Sequence, residues 1–511
     1  MSLFEVVIIG GGTAGWMTAA ALAKFLPQDT HRITLVESEL IGTVGVGEAT
    51  IPHIRYFNSM LEIDENDFVR STGATYKLGI QFENWGKNGD SYIHPFGVHG
   101  RDFPLLDFHH CWLKLREENK VLPFDNYSLA SMAAKHNKFM YPTEDSQSIF
   151  SSYTYAFHID AGLYARYLRR YAEALGVIRR EGKIADVLLD ADNGNISSVV
   201  FDDGFTLQGN FFIDCSGFVG LLIEGTLKAG YDNWSHWLPC DSAVAVPSEK
   251  VLPLRPYTRS IACEAGWRWQ IPLQHRTGNG YVYCSKYISD DDAKDQLLQN
   301  LDTPALADVR QLKFTAGRRY ESWKKNCVAI GLSGGFLEPL ESTSIYLIQV
   351  AIMKLLELFP HSEENPLRRL YFNKFMKTEY ELIRDFLILH YRLNSKSDSA
   401  FWNYCATMEI PSSLERKMAL FEDTAHVEHY SLGLFMRPSW LAVYLGQGFI
   451  PKEYDLRTRH VKNLDFRLTD FDNLIKNSVA AMPDAQAFLA KIHGDEVGQC
   501  PAATLSLYGR N

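Results

Sequence analysis

What this chain lacks narrows its possibilities first. Its eight cysteines, spread from Cys111 to Cys500, show neither CxxC spacing nor a dense framework. That excludes a disulfide-stapled scaffold and leaves free thiols in a reducing cytoplasm as the expectation. No metal site is expected. No apolar run approaches the roughly twenty residues that cross a bilayer, and the chain enters its first strand too early for a signal peptide. Internal repeats, low-complexity tracts and blocks of like charge are missing too, so no solenoid or charged tail is expected. Basic residues are in deficit: 51 Lys and Arg against 61 Asp and Glu give a net charge of −10. Phosphate backbones would be repelled, which argues against a nucleic-acid partner.

What is present describes a globular protein. A hydrophobic share of 46% with 22% charged residues suffices for a large core. At 511 residues, two or three structural regions are expected. The most informative stretch is Val6-Val7-Ile8-Ile9-Gly10-Gly11-Gly12-Thr13-Ala14-Gly15-Trp16, followed by the helix-forming run Thr18–Lys24. This is strand, tight turn and helix, with Gly10, Gly12 and Gly15 at the three positions of a GxGxxG fingerprint. One glycine makes the turn, one admits a pyrophosphate to the backbone, and one lets helix and strand pack closely. The helix N-terminus, opening at Thr13 and Ala14, offers N–H groups and partial positive charge to phosphates. Ile33–Glu37 reads as the second strand, and Glu37 lies 22 positions after Gly15, where a ribose-binding acid is expected.

Next comes Gly42-Thr43-Val44-Gly45-Val46-Gly47-Glu48-Ala49-Thr50, whose alternating glycines read as a loop running along a cofactor. Residues 75–85 alternate as one strand, with Tyr76, Leu78, Ile80 and Phe82 on one face. On alternation alone Lys77 falls with Gln81 on the solvent face. Tyr92–Gly97 reads as a strand end with a turn, residues 101–150 as short helices and loops, and Tyr164–Leu175 as an amphipathic helix stopped by Gly176. Strands recur near residues 186–189, 196–200, 211–217 and 327–336, so the nucleotide-binding part is expected to be discontinuous in sequence. Trp267 and Trp269 stand in i, i+2 register and point the same way as an aromatic wall. Glu338–Ile345 opens a helix with small polar residues, where an anion near Thr343 and Ser344 is physically reasonable. Beyond residue 350 the chain turns mostly helical to about residue 490.

Four of these marks together resemble the flavin-dependent halogenases of the tryptophan halogenase family. They are the Gly10–Trp16 loop, Lys77 in Tyr-Lys-Leu-Gly-Ile, the Trp267–Pro272 form of WxWxIP, and Glu338-Pro339-Leu340-Glu341-Ser342-Thr343. The resemblance implies an α/β fold (α+β mixed): an FAD-binding Rossmann-like module of the flavin monooxygenase type, with a mainly helical substrate module packed against it. Residues 1–100 and 152–350 would build the first module, residues 101–151 and 351–511 the second. It implies FAD held by Gly10, Gly12, Thr13, Ala14, Gly15, Glu37, Gly47, Ala49 and Leu332. Reduced FAD from a separate NAD(P)H-dependent flavin reductase and O₂ would oxidise chloride or bromide to hypohalous acid. The catalytic pair would be Lys77, holding or activating that oxidant, and Glu341, polarising it or helping to remove the arene proton. Backbone N–H groups of Thr343 and Ser344 would hold the halide; the family usually has glycine where this chain has Ser344. Trp267 and Trp269 would separate flavin from substrate.

By the same resemblance His94, Phe96 and Phe435 line the pocket of an indole-type aromatic substrate. The residues that grip free tryptophan's amino-acid end in the family are replaced, on a by-eye register, by Asp423, Thr424, Tyr430 and Leu434. A small arene such as indole is therefore expected to be preferred. The assembly expected is a monomer or homodimer in the cytoplasm. The alternative reading is a flavin-dependent aromatic hydroxylase, which shares the fingerprint but inserts oxygen at the flavin; Lys77 and the two tryptophans argue against it.

Overall fold

The strand Phe4–Ile9 lies inside a sheet whose six strands, among the described residues, run Trp323–Lys324, Cys327–Ala329, Phe211–Asp214, Phe4–Ile9, His31–Glu37 and Ile178–Glu181. The computed structural model describes residues 3–38, 47–360, 365–428, 433–494, 496–497 and 500–509. Phe4–Ile9 pairs in parallel with both neighbours, and Val6–Ile9 are buried on both faces. Burial on both faces is why the run is continuously β-branched and does not alternate. The helix Thr13–Phe25 follows directly and buries Gly15–Ala23, packing on the helices Ala161–Ala174 and Ser344–Leu358.

A second, larger sheet runs Arg310–Lys313, Ser242–Ser248, Thr277–Tyr283, Gly266–Pro272, Thr258–Cys263, Gly79–Glu83 and Ser91–Pro95. Most of its pairs are antiparallel; Thr258–Cys263 and Gly79–Glu83 run parallel. Small sheets complete the strand layers, one of them Gly47–Ala49, Ala156–Asp160 and Thr75–Lys77. The later chain is helical, with Pro366–Arg392 the longest element. Asn365 caps its start, Pro366 occupies its first turn, and its second half is buried from Glu379 to Tyr391 with Glu381 and Leu382 only partly covered. The mixed α/β class expected from the sequence is the architecture observed. Among the described residues no helix is long and apolar enough to cross a membrane, and every cysteine is free.

Two local readings need correction. Residues 75–85 are not one strand: Thr75–Lys77 pairs with Ala156–Asp160, whereas Gly79–Glu83 pairs with Ser91–Pro95 and Thr258–Cys263. The chain changes sheet at Leu78, whose N–H donates to Pro256 O at 2.7 Å. Tyr76, Leu78, Ile80 and Phe82 are buried as the alternation implies. On the opposite face Gln81 and Glu83 stay partly exposed, but Lys77 has 0% exposure, enclosed with Thr50, Phe96 and Ser342. The second correction concerns the glycine-alternating loop. Gly47–Ala49 form a strand against Ala156–Asp160, with Gly47 close against Ile271 and Leu273. Residues 42–46 of that loop, and Tyr430, lie outside the described residues.

Candidate active site

The sheet change at Leu78 sets the site. Gly79 crosses the neighbouring strand so closely that a Cβ there would lie 2.5 Å from His94 O and 3.0 Å from Pro95 Cα. That approach brings Lys77 beside the residues that follow Ser91. Lys77 Nζ donates to Thr50 O at 2.9 Å and to Ser342 Oγ at 2.8 Å, and stands 5.1 Å from the centre of the Phe96 ring. Burial pushes the Lys77 ammonium down to about 7, against a smaller upward pull from Glu341. A lysine there exchanges between ammonium and amine near neutral pH.

Glu341 comes from a 3₁₀ turn, Pro339–Glu341, which ends at Ser342 in the left-handed region (φ 58°) before the helix opens at Ser344. Its carboxylate, 1% exposed, accepts from His94 Nδ1 at 2.8 and 3.0 Å. His390 Nε2 lies 2.8 Å from the other side, at Glu341 Oε1. That is an ion-pair distance. His390 Nδ1 faces Phe386 O at 2.8 Å and so must carry the proton it donates. Burial pushes the Glu341 carboxyl up, but His94 and then His390 outweigh it and hold it at about 2. Glu341 is therefore a carboxylate throughout the neutral range.

A second glutamate, three residues earlier, organises the tryptophans. Glu338 Oε2 accepts from Trp267 Nε1 at 2.9 Å and from Tyr391 O–H at 2.7 Å, and burial pushes its carboxyl up to about 7. Consecutive residues of one helix, His390 and Tyr391, thus meet the two glutamates of Glu338-Pro339-Leu340-Glu341. Trp267 and Trp269 project from the same strand with ring centres 6.1 Å apart. Trp269 lies across Gly280, where a Cβ would sit 2.0 Å from its ring.

The glycine loop forms a separate end of the site. A Cβ on Gly10 would lie 2.3 Å from Cys215 O, and one on Gly15 would lie 1.8 Å from Gly10 O, so both positions demand glycine. Among the described residues a Cβ on Gly12 would meet nothing within 4 Å, and the Thr13–Phe25 helix has no side-chain cap. An open helix N-terminus of this kind suits a pyrophosphate. The turn carrying Leu332 reaches this end, since a Cβ on Gly331 would lie 2.8 Å from Ala14 Cβ. Glu37 is already engaged: its carboxylate accepts from Trp16 Nε1 at 3.2 Å and pairs with Arg179. Any ribose contact would share it with both.

Lys77, Glu341, His94 and Phe96 thus converge, with Phe435 at their margin. The Phe435 ring stacks on Phe386 at 4.0 Å and lies 6.0 Å from His94. Thr343 is fully buried at the helix start, its Oγ1 without a partner among the described residues, and Ser344 follows it. Asp423 and Thr424 do not join the cluster: they are exposed at the end of the helix Ser412–Thr424. Sequence reasoning missed Thr50, Ser342, His390, Tyr391, Ser439 and Tyr508. Only Thr50 and Ser342 had a signal, their places within the quoted Gly42–Thr50 stretch and Glu338–Thr343 motif.

A family model described as tryptophan halogenase matches residues 5–463. The chain is 37% identical over 478 residues to tryptophan 6-halogenase SttH of Streptomyces toxytricini, covering 87% of this chain and 90% of that protein. Two solved structures superimpose with TM-scores of 0.92. One is a flavin-dependent halogenase from Xanthomonas campestris, 45% identical, covering 98% of this chain and 99% of that one. The other is the flavin-dependent halogenase BrvH from Brevundimonas sp. BAL3, 44% identical, covering 96% and 99%.

Proposed function

The chain belongs to the tryptophan halogenase family, and from that premise we propose how this flavin-dependent halogenase divides its work between the two ends of its site. The cofactor is FAD. The residues at the glycine end fit it: Gly10 and Gly15 leave no room for side chains, and the space before Gly12 faces an uncapped helix N-terminus. Gly12, Thr13 and Ala14 would hold the pyrophosphate, Glu37 the ribose, and Gly47, Ala49 and Leu332 would line the remainder. When bound, reduced FAD would give two electrons to O₂, which would take two more from chloride or bromide, leaving oxidised FAD, water and hypohalous acid. The start of the helix at Thr343 and Ser344 would hold the halide; the unpartnered, buried Thr343 Oγ1 supports that role.

At the other end Lys77 receives the oxidant. Two of its donor positions are fixed by Thr50 and Ser342. The third carries a proton that can bind hypohalous acid or, in the amine form, a lone pair that can take up halogen. The net reaction is ArH + HOX → ArX + H₂O. Carbon gains halogen as the O–X bond breaks, and the arene hydrogen ends in water. Glu341 stabilises the cationic arene and takes its proton first. A carboxylate titrating near 2 is a weak base, but a protonated arene is a far stronger acid than a carboxylic acid, so the transfer runs downhill. Phe96 and Phe435 would supply aromatic contact to the ring, while Trp267, held by Glu338, and Trp269 would keep flavin and substrate apart.

The substrate proposed is a small electron-rich arene of the indole type, since the residues matched to the amino-acid clamp, Asp423 and Thr424, face solvent. The reductant is a separate NAD(P)H-dependent flavin reductase, because the sequence carries one dinucleotide fingerprint and no second. Purified protein is therefore expected not to consume NADH unless a reductase is added. The observation that carries the mechanism is the fully buried Lys77 sharing one cluster with Glu341. Its test is a panel of arenes with reductase, FAD, NADH and either halide, read by mass spectrometry for wild type and Lys77→Ala. Halogenated product from the alanine variant at the wild-type rate would overturn it.

A further inference from the structure

The buried cluster continues past His94 into a part of the chain that the family match does not reach. His94 Nε2 lies 2.7 Å from Ser439 Oγ, on the helix Arg437–Gly446. Ser439 Oγ lies 2.7 Å from the Tyr508 hydroxyl, which also accepts from Met436 N–H at 2.7 Å. The family model ends its match at residue 463. The segment around Tyr508 is nevertheless built in: Arg55 donates to Pro501 O at 2.6 Å, Leu507 is buried, and a Cβ on Gly509 would lie 2.4 Å from Ser151 O.

Donor accounting gives this chain a direction. The Tyr508 oxygen accepts from the Met436 N–H, so its own hydrogen needs an acceptor, and Ser439 Oγ is the one within reach. The Ser439 hydrogen is then free for His94 Nε2. In the neutral imidazole a ring nitrogen that accepts leaves the proton on the other, so His94 Nδ1 donates to the Glu341 carboxylate, and the hydrogen bonds from His94 and His390 lower that carboxyl even without a charge on His94. In the opposite sense the hydrogen of the partly buried Tyr508 would have no acceptor among the described contacts, at a cost of up to about 1–3 kcal/mol.

We propose that Tyr508 is a positioning residue for halogenation: through Ser439 it fixes the His94 tautomer that holds the Glu341 carboxylate in place. The inference rests on the role given above to Glu341. A fixed Nδ1–H keeps the carboxylate from turning toward His390 or Lys77 and leaves it oriented when the arene proton arrives. Phenylalanine at 508 keeps the ring and removes only the link, so the loss belongs to the chemical step and not to substrate binding.

The experiment compares Tyr508→Phe, Ser439→Ala and the double variant with wild type, all loaded with FAD, using indole, bromide and a flavin reductase. Each single change is expected to lower kcat about 3- to 10-fold, the worth of one hydrogen bond, with KM for indole unchanged. The double variant should fall no further than the worse single one, because both break the same chain. FAD affinity and flavin reoxidation should stay at wild-type values. A Tyr508→Phe enzyme with wild-type kcat, or two losses that multiply in the double variant, would overturn the inference. Should Tyr508→Phe not fold, Ser439→Ala breaks the same link from another element and decides by its own kcat. Glu341→Gln run alongside separates the two readings. If it stays fully active, the role of Glu341 falls and this inference with it. If it is inactive while Tyr508→Phe is normal, only the role of Tyr508 falls.

Discussion

The two ends of this active site are built on opposite plans. The glycine end comes from consecutive residues, Gly10 to Gly15, and among the described residues it is open, with an uncapped helix start and nothing within 4 Å of a Cβ on Gly12. The lysine end is assembled from Thr50, Lys77, His94, Glu341, His390, Ser439 and Tyr508, and each polar group there is already held by another. An open end suits a ligand that brings its own charge, such as a pyrophosphate. A closed one suits groups whose protonation must be set in advance. Binding and chemistry should therefore fail separately.

The largest effects test that separation. Lys77→Ala is expected to abolish halogenation while FAD binding and flavin reoxidation persist, followed by product analysis and by flavin absorbance. Gly15→Ala should do the reverse at its root. Its Cβ would lie 1.8 Å from a backbone oxygen that cannot yield, so FAD binding and thermal stability are lost before any chemistry is reached. A Lys77→Ala protein unable to bind FAD would show that the two ends are one structural unit. Next in size is Glu341→Gln, expected to lower product formation by about 10² to 10⁴ with peroxide release by the flavin unchanged. Retention of more than roughly a tenth of the rate would remove Glu341 from proton transfer.

These two ends also differ in how far the sequence exposes them. The glycine loop is legible because strand, turn and helix are contiguous and each glycine has a local steric reason. Lys77 is not: alternation puts it in solvent, and only the family motif around it pointed inward. The change of sheet at Leu78, which decides the matter, depends on a partner strand some eighty residues later. His390 and Tyr391 read as ordinary core positions of a helix, and Ser439 and Tyr508 lack any pattern. Their roles arise from approaches between distant elements, which spacing does not encode. The by-eye register at Asp423 and Thr424 shows the same limit, since helix position alone does not tell a pocket residue from a surface one.

A smaller effect separates the charges inside the closed end. Lys77 titrates at about 7 when folded, against an ordinary 10.5. The unfolded chain therefore binds more protons between those values, and this group makes stability rise with pH across that window, by up to about 1.4 kcal/mol per pH unit. Glu341 makes stability rise with pH as well, but in a lower window, and as a stabilising group where Lys77 is a destabilising one. Held at about 2 against an ordinary 4.5, its contribution is complete above 4.5 and is lost as pH falls toward 2. Urea unfolding of wild type and Lys77→Met across pH 7 to 10 checks the first window. The wild type should gain stability relative to the methionine variant as pH rises. A constant gap would mean that the lysine is not desolvated as the structure places it.

The smallest expected effect concerns substrate choice, where the closed end meets the outside. Free tryptophan brings an ammonium and a carboxylate that need partners at the edge of the pocket. On the register expected from the sequence, the family positions that would supply them fall on Asp423 and Thr424, both exposed at a helix end, and on Leu434, which is buried and apolar. An unpartnered buried polar group costs about 1–3 kcal/mol, and a charged one more. At about 1.36 kcal/mol per decade, tryptophan loses at least several-fold in kcat/KM against an uncharged arene. Indole would gain the contact proposed for Phe96 and Phe435 without that penalty. A competition between equal indole and tryptophan, read as the ratio of halogenated products, measures the difference directly. A ratio favouring tryptophan would locate an amino-acid clamp in some segment other than the helix end at Asp423, and would make the lysine end less closed than its hydrogen bonds imply.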